Sequence, residues 1–190
     1  MQHFSLAWGR RCRRFSQRFL SRRWMIALLG FCAVAANAAE LAAVNEALPR
    51  RVGDQRLQAA IAAHKGRPVL INFWATWCEP CRAEMPSPQR LADRWRDRGL
   101  AVITVAVADN SRQVEDYLRE IGVQLAVIHD PEQTINQPWG AHVVPTTLIL
   151  DTRHRIRLRG QGAIDWDAAA IDRQLQPVLN QPRKRHHASS

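Results

Sequence analysis

Short runs of apolar and β-branched residues alternate along the chain with stretches in which apolar residues recur every three or four positions. The runs are typical of strands buried on both faces, and the three- to four-residue spacing is typical of amphipathic helices. The predicted strands are Pro68–Trp74, Leu100–Ala108, Val123–His129, Val143–Asp151 and Ile156–Arg159. The predicted helices are Asp54–His64, a stretch from the Trp77–Cys81 run to about Arg98 with a kink at Pro86, Ser111–Ile121, a short segment ending at Pro138, and Asp165–Leu179.

The order of these elements predicts an α/β fold. Strands and helices alternate through the first three strands, and two consecutive strands and a helix follow. Such an order is expected of a central mixed sheet with helices on both faces.

The first 38 residues have the pattern of an export signal. An arginine-rich stretch is followed by the apolar run Met25–Ala36 and by a small-residue site at which a peptidase could cut after Ala38. The run is shorter than the roughly 20 residues of a membrane-spanning helix, so cleavage is favoured and an uncleaved anchor is the alternative. Ser21–Ile26 also resembles a twin-arginine signal, which leaves the export route open. We therefore predict a signal peptide over residues 1–38, one domain over 39–182 and an unordered basic tail over 183–190.

The charge lies mostly in these two ends. The formal net charge is +10, but residues 1–38 hold seven arginines and no acid, and residues 183–185 hold three more basic residues. The remainder has 17 basic and 17 acidic residues. A balanced body of this kind argues against a nucleic-acid-binding protein.

Cysteine spacing points to redox chemistry. Cys12 and Cys32 belong to the predicted signal, so the mature chain would keep only Cys78 and Cys81, spaced C-x-x-C. A bridge that closes so short a loop contributes little as a staple of the fold. A zinc site would need two further ligands, and the histidines of this region lie singly. We expect no metal and no cofactor beyond a redox-active Cys78–Cys81 disulfide.

The position of the pair after a strand and at the start of a helix assigns roles to both cysteines. Cys78 would lie where free backbone N–H groups and the helix dipole stabilise a thiolate, so it is the predicted attacking residue. Cys81 lies one turn deeper and would resolve a mixed disulfide. Between them, Pro80 stiffens the helix start. Glu79 places a negative charge beside the thiolate and makes the pair less oxidising.

Four features together resemble the TlpA/ResA-like group of the thioredoxin superfamily, which comprises exported thiol-disulfide oxidoreductases, including reductases of cytochrome c maturation. They are the run Asn72–Cys81, Glu84 with Pro86, the helix–strand unit Ser111–His129, and Val144–Thr147. The resemblance covers about residues 48–180. It implies a thioredoxin-like fold with an inserted helix–strand unit.

The resemblance also implies roles for residues around the cysteines. Glu84 occupies the position of an active-site acid that exchanges a proton with the cysteines, although its spacing alone equally suits a surface residue paired with Arg82 or Arg90. Val144–Pro145 would be a cis peptide packed against the disulfide, with the Val144 backbone pairing with substrate. Trp77 is expected at the apolar rim of the site.

The expected function is reduction of disulfides in specific protein substrates, such as apocytochrome c or a copper-site dithiol, in the periplasm. A membrane thiol donor would recharge the protein, and it would contact the membrane itself only through an uncleaved signal. Two alternatives stay open. One is a net oxidant or isomerase, and the other is a copper(I)-handling module that uses the same cysteines.

Overall fold

The computed structural model describes residues 40–49 and 55–180. Its strands are β1 (Ala42–Glu46), β2 (Val69–Trp74), β3 (Ala101–Val107), β4 (Ala126–Asp130), β5 (Thr146–Leu150) and β6 (Ile156–Gln161). Its helices are α1 (Arg56–Ala62), α2 (Glu79–Glu84), α3 (Pro86–Arg94), α4 (Ser111–Glu120) and α5 (Ala169–Leu179), with a 3₁₀ turn at Arg96–Arg98. The predicted signal peptide and the predicted basic tail lie outside the described residues.

The six strands form one mixed sheet in the order β1-β6-β5-β2-β3-β4. Strands β2, β3 and β4 run parallel, whereas β5 is antiparallel to β2 and β6 is antiparallel to both β5 and β1. Because β2 and β5 are antiparallel neighbours, the end of β2 lies beside the start of β5, and Phe73 pairs with Thr146. This register brings the C-x-x-C segment next to the Val144–Pro145 loop.

Helices cover both faces of the sheet, as predicted. Alternate residues of β2 point to opposite faces. Val69, Ile71 and Phe73 pack with α1 and with the segment after β4, while Leu70 packs with α3 and α5. The predicted mixed sheet and thioredoxin-like fold are confirmed, and the inserted unit is α4 with β4.

The active-site helix is broken where its sequence predicts a kink. Helix α2 ends at Glu84, Met85 keeps helical backbone angles, and α3 begins at Pro86. Proline has no N–H to continue the helical ladder, so the break at this residue follows from its chemistry. No helix within the described residues combines the length and the apolar character needed to cross a membrane.

Several elements differ from those predicted, and strands β4 and β5 begin at Ala126 and Thr146 rather than at Val123 and Val143. Strand β1 was not expected, because it is an edge strand whose residues are exposed apart from the half-buried Val44 and so show no apolar run. The short helix predicted before Pro138 is wrong. Residues 131–140 form turns instead, since the buried carboxylate of Asp130 accepts hydrogen bonds from the backbone N–H groups of Thr134, Ile135 and Asn136. Helix α5 begins at Ala169 rather than Asp165.

Candidate active site

A disulfide joins Cys78 and Cys81 at the junction of β2 and α2, with an S–S distance of 2.08 Å. Cys78 is the N-cap of α2, and its Sγ accepts a hydrogen bond of 3.3 Å from the backbone N–H of Cys81. Pro80 lies in the first turn, where a missing N–H leaves no helical bond unmade. Cys78 is 6% exposed and Cys81 is 1% exposed, so Cys78 is the less deeply buried of the two residues.

The loop before β5 forms the opposite wall of the site. The Val144–Pro145 peptide bond is cis, and the carbonyl oxygen of Val144 lies 3.7 Å from Sγ of Cys78. Pro145 is buried, whereas Val143 is 53% exposed. The structure therefore places Val144 and Pro145 beside the disulfide, with an exposed apolar side chain next to them.

The end of β3 fixes the segment that leads into Cys78. The carboxylate of Asp109 accepts hydrogen bonds from the backbone N–H of Thr76 at 2.5 Å and from its hydroxyl at 2.9 Å. The indole N–H of Trp77 donates to the carbonyl of Ala108 at 3.1 Å. Trp77 is nevertheless 62% exposed, so its ring stands at the rim of the site with its polar edge anchored.

A groove of about 660 Å³ opens beside this rim, between α2 and α4. Trp77, Glu79 and Glu120 line it together with Arg82 and Tyr117. The Arg82 guanidinium stands over the Tyr117 ring at 5.3 Å, and the Tyr117 hydroxyl donates to the Arg82 carbonyl. The inserted helix α4 is thus tied directly to the active-site helix.

Glu84 is the last residue of α2, and its side chain is buried rather than at the surface. Its Oε1 accepts hydrogen bonds from the indole N–H of Trp166 at 2.6 Å and from the side-chain amide of Asn72 at 3.2 Å. Its Oε2 accepts one bond of 3.3 Å, from the backbone N–H of Ile164. The surface ion pair between Glu84 and Arg90 that the sequence also allowed does not form, because Arg90 pairs with Asp167.

Burial raises the pKa of Glu84 from 4.5 to about 7. Removing the carboxylate from water disfavours its charged form, and this effect exceeds the opposing one of the three hydrogen bonds, which favour the charged form. A carboxyl group with a pKa near neutral can take up and release a proton under ordinary conditions.

Three partners of this carboxyl group were missed by sequence reasoning. Asn72 is the one polar residue in the apolar run of β2, and its amide also donates to the hydroxyl of Thr147 on β5 at 2.9 Å. A lone amide in a strand buried on both faces was a usable signal. Trp166 carries no comparable sign in the sequence, because its contact with Glu84 depends on the path of the chain after β6. Ile164 likewise carries no sign in the sequence that its backbone N–H would reach Glu84.

The remaining predicted tuning residues lie at the surface. Glu79 and Pro80 are exposed at the start of α2. Within residues 40–49 and 55–180, no three His, Cys, Asp or Glu side chains come together as metal ligands could.

Comparison with known proteins gives a consistent picture. The AhpC/TSA family model matches residues 39–159. The thiol-disulfide oxidoreductase ResA of Oceanobacillus iheyensis is 31% identical over 103 residues, which are 54% of this chain and 54% of that protein. The thioredoxin-like protein YneN of Bacillus subtilis is 37% identical over 92 residues, or 47% and 53% of the two chains. The chain spans about half the length of the curated relatives it matches.

A solved structure shares the fold over most of its own length. The thiol:disulfide interchange protein of the thioredoxin family from Chlorobium tepidum TLS aligns with a TM-score of 0.54 and 25% identity. The alignment covers 62% of this chain and 83% of that one. The fold that holds the Cys78–Cys81 pair is therefore one found in thiol-disulfide exchange proteins.

Proposed function

Because the chain belongs to the AhpC/TSA family and closes a C-x-x-C disulfide at a helix start, we propose that it is a thiol-disulfide oxidoreductase that reduces disulfides in proteins. The observation that carries the proposal is the position of the Cys78–Cys81 disulfide. It lies at the end of a central strand and against a cis-proline loop, and the buried Glu84 follows Cys81 by three residues on the same helix.

The reaction is a pair of thiol-disulfide exchanges. In the reduced protein, the Cys78 thiolate attacks one sulfur of a substrate disulfide. A Cys78–substrate bond forms, and the other substrate sulfur leaves as a thiolate. Cys81 then loses its proton and attacks Sγ of Cys78, which releases the second substrate thiol. Two electrons pass to the substrate, and the enzyme is left with the Cys78–Cys81 disulfide.

The geometry supports this division of labour. Cys78 is the less buried of the two residues, and the N–H of Cys81 that donates to its Sγ would stabilise the thiolate. Cys81 is the more deeply buried, which suits a residue that attacks Sγ of Cys78 after Cys78 has bound substrate. Trp77 and Val143 stand exposed on either side and offer apolar surface to a polypeptide, and the Val144 backbone is the predicted pairing site.

Glu84 is proposed to handle the proton of the resolving step. It lies three residues after Cys81, one helical turn away on the same face, and its raised pKa of about 7 lets it accept the Cys81 proton as the thiolate forms. In the reverse direction, the same carboxyl group returns the proton to the leaving Cys81 sulfur.

Reduction is proposed as the net direction because carboxyl groups disfavour thiolates nearby. A redox pair becomes strongly oxidising when its reduced form is stabilised. Glu84 beneath the helix and Glu79 beside Cys78 act in the opposite sense, since negative charge raises thiol pKa values. A disulfide oxidant or isomerase is the competing direction for the same residues.

The setting of the reaction follows from the N-terminal sequence. The predicted signal peptide supports export to the periplasm, where a reductase has to be recharged by a thiol donor in the membrane. Apocytochrome c and copper-site dithiols are the proposed kinds of substrate, on the resemblance to cytochrome c maturation reductases.

The reduction potential of the Cys78–Cys81 couple tests the proposal. The full chain is equilibrated with glutathione and dithiothreitol buffers, and its thiols are trapped and counted by mass spectrometry. A potential near or below the roughly −270 mV of thioredoxin supports a reductase. A potential near the roughly −120 mV of strong oxidants overturns this direction in favour of disulfide formation.

A further inference from the structure

The indole of Trp166 makes the shortest contact with the carboxyl group of Glu84. Its Nε1 lies 2.6 Å from Oε1, against 3.2 Å for the Asn72 amide and 3.3 Å between the Ile164 N–H and Oε2. Trp166 is fully buried at 0% exposure. A buried donor this close to a titrating oxygen affects which form of the acid is stable.

The two oxygens of the carboxyl group are not equivalent. An oxygen of this kind has two lone pairs, and Oε1 already accepts from two N–H donors. Among the residues that the structure describes, Oε2 accepts only from Ile164. Oε2 therefore keeps a lone pair free for a proton, whereas a proton on Oε1 would face an N–H group.

Helix α3 holds Trp166 in this position from the outside. The Arg94 guanidinium donates to the Trp166 carbonyl at 2.6 Å. The Arg90 guanidinium binds the next residue, Asp167, with two nitrogens on one carboxylate oxygen, at 2.6 and 2.9 Å. The connection between β6 and α5 is thus bound to α3, the helix that begins two residues after Glu84.

The groups facing the carboxyl are few. From β2 it meets the Asn72 amide, and from the β6–α5 connection it meets the Ile164 N–H and the Trp166 indole. On its own helix the titratable neighbour of the same face is Cys81. Within the described chain, burial raises the pKa of Glu84, these three hydrogen bonds act against the rise, and no charged side chain contributes to the shift.

We propose that Trp166 is a positioning residue of the reaction, whose indole N–H holds the carboxyl group of Glu84 through Oε1 and sets its readiness to exchange a proton at Oε2. The inference rests on the proposed role of Glu84 in thiol-disulfide exchange. Trp166 would act through the acid, to which its indole N–H donates.

Trp166→Phe tests the proposal in the oxidised full chain, in which the two cysteines do not titrate. The carboxyl ¹³C resonances of labelled glutamates are followed against pH, and Glu84→Gln identifies the signal. Loss of a donor to the charged form should raise the pKa of Glu84 by about one unit. The pH at which disulfide reduction is half-maximal should move by the same amount. An unchanged or lowered pKa overturns the proposal.

Trp139→Phe is the matched control. Trp139 is also buried, at 1% exposure, but its indole N–H has no hydrogen-bond partner among the described residues. The same loss of ring volume should leave the pKa of Glu84 where it is. An equal shift in both variants overturns the proposal, because it would reflect repacking alone.

A measurement on the unaltered protein covers the case in which Trp166→Phe does not fold. The indole N–H resonance of Trp166 should move with the ionisation of Glu84 near pH 7, and this movement should vanish in Glu84→Gln. An indole resonance that ignores this ionisation overturns the inference. The proposed function fails separately, if the reduced wild-type chain does not reduce protein disulfides.

Discussion

The buried carboxyl group of Glu84 should make the stability of the oxidised protein fall as pH rises. In the folded chain its pKa is about 7, against 4.5 for the ordinary group. Between those values the folded state binds more protons than the unfolded state, so the free energy of unfolding decreases with increasing pH. At about 1.36 kcal/mol for each unit of pKa shift, the loss is about 3 kcal/mol between pH 4 and pH 8.

Glu84→Gln isolates this effect. The amide keeps the shape of the side chain and does not ionise, although its NH₂ group would face the Ile164 N–H and impose a cost that does not vary with pH. Urea unfolding of both proteins, with the disulfide intact, gives the difference in unfolding free energy at each pH. Other titrating groups cancel in this difference.

The expected result is a difference, wild type minus variant, that declines by about 3 kcal/mol from pH 4 to pH 8, with most of the fall between pH 4.5 and pH 7. A difference that stays constant over this range would refute the reasoning, because it would mean that Glu84 titrates alike in the folded and unfolded states. A difference that grows with pH would mean that the hydrogen bonds outweigh burial.

Three further changes have definite expected outcomes. Cys81→Ser should accumulate a mixed disulfide between Cys78 and substrate, which mass spectrometry would detect. If Cys78→Ser trapped substrate equally well, the roles assigned to the two cysteines would be contradicted. Trp77→Ala removes an indole that is 62% exposed, so the free energy of unfolding should change by about 1 kcal/mol or less. The variant should reduce a protein disulfide more slowly than wild type does, and this slowing should be greater than the slowing with a small disulfide. Equal slowing with both substrates would argue against a docking role for Trp77. Asp109→Ala should cost about 1–3 kcal/mol in urea unfolding, since both the N–H and the hydroxyl of Thr76 lose their acceptor, and an unchanged midpoint would contradict this.

Much of the fold can be predicted because its central strands are buried on both faces. The run Val69–Trp74 is apolar except for Asn72, and every one of its residues is buried, so the run itself marks a strand at the centre of the sheet. Strand β1 carries no such signal, because its pairing with β6 comes from backbone hydrogen bonds at the sheet edge. The turns after Asp130 depend on one buried carboxylate, which no periodic pattern reveals.

The candidate site also contains residues that the sequence reveals and residues that only the fold reveals. The cysteines are only three residues apart in sequence, so their spacing alone identifies them. The partners of Glu84 are 12, 80 and 82 residues away, and only the fold shows which donors reach it. The resemblance pointed to Glu84, but the residues that bury it and set its pKa required the structure.

The separation of Glu84 from its partners along the chain also determines when, during synthesis and folding, its buried environment can form. A chain emerges from the ribosome with its N-terminal end first, so both cysteines and Glu84 are made well before Ile164 and Trp166. Until then Glu84 is a solvated carboxyl group with the pKa of any glutamate. The dithiol is therefore synthesised early, but the environment that raises the pKa of Glu84 forms only when the last helix and the connection before it have docked.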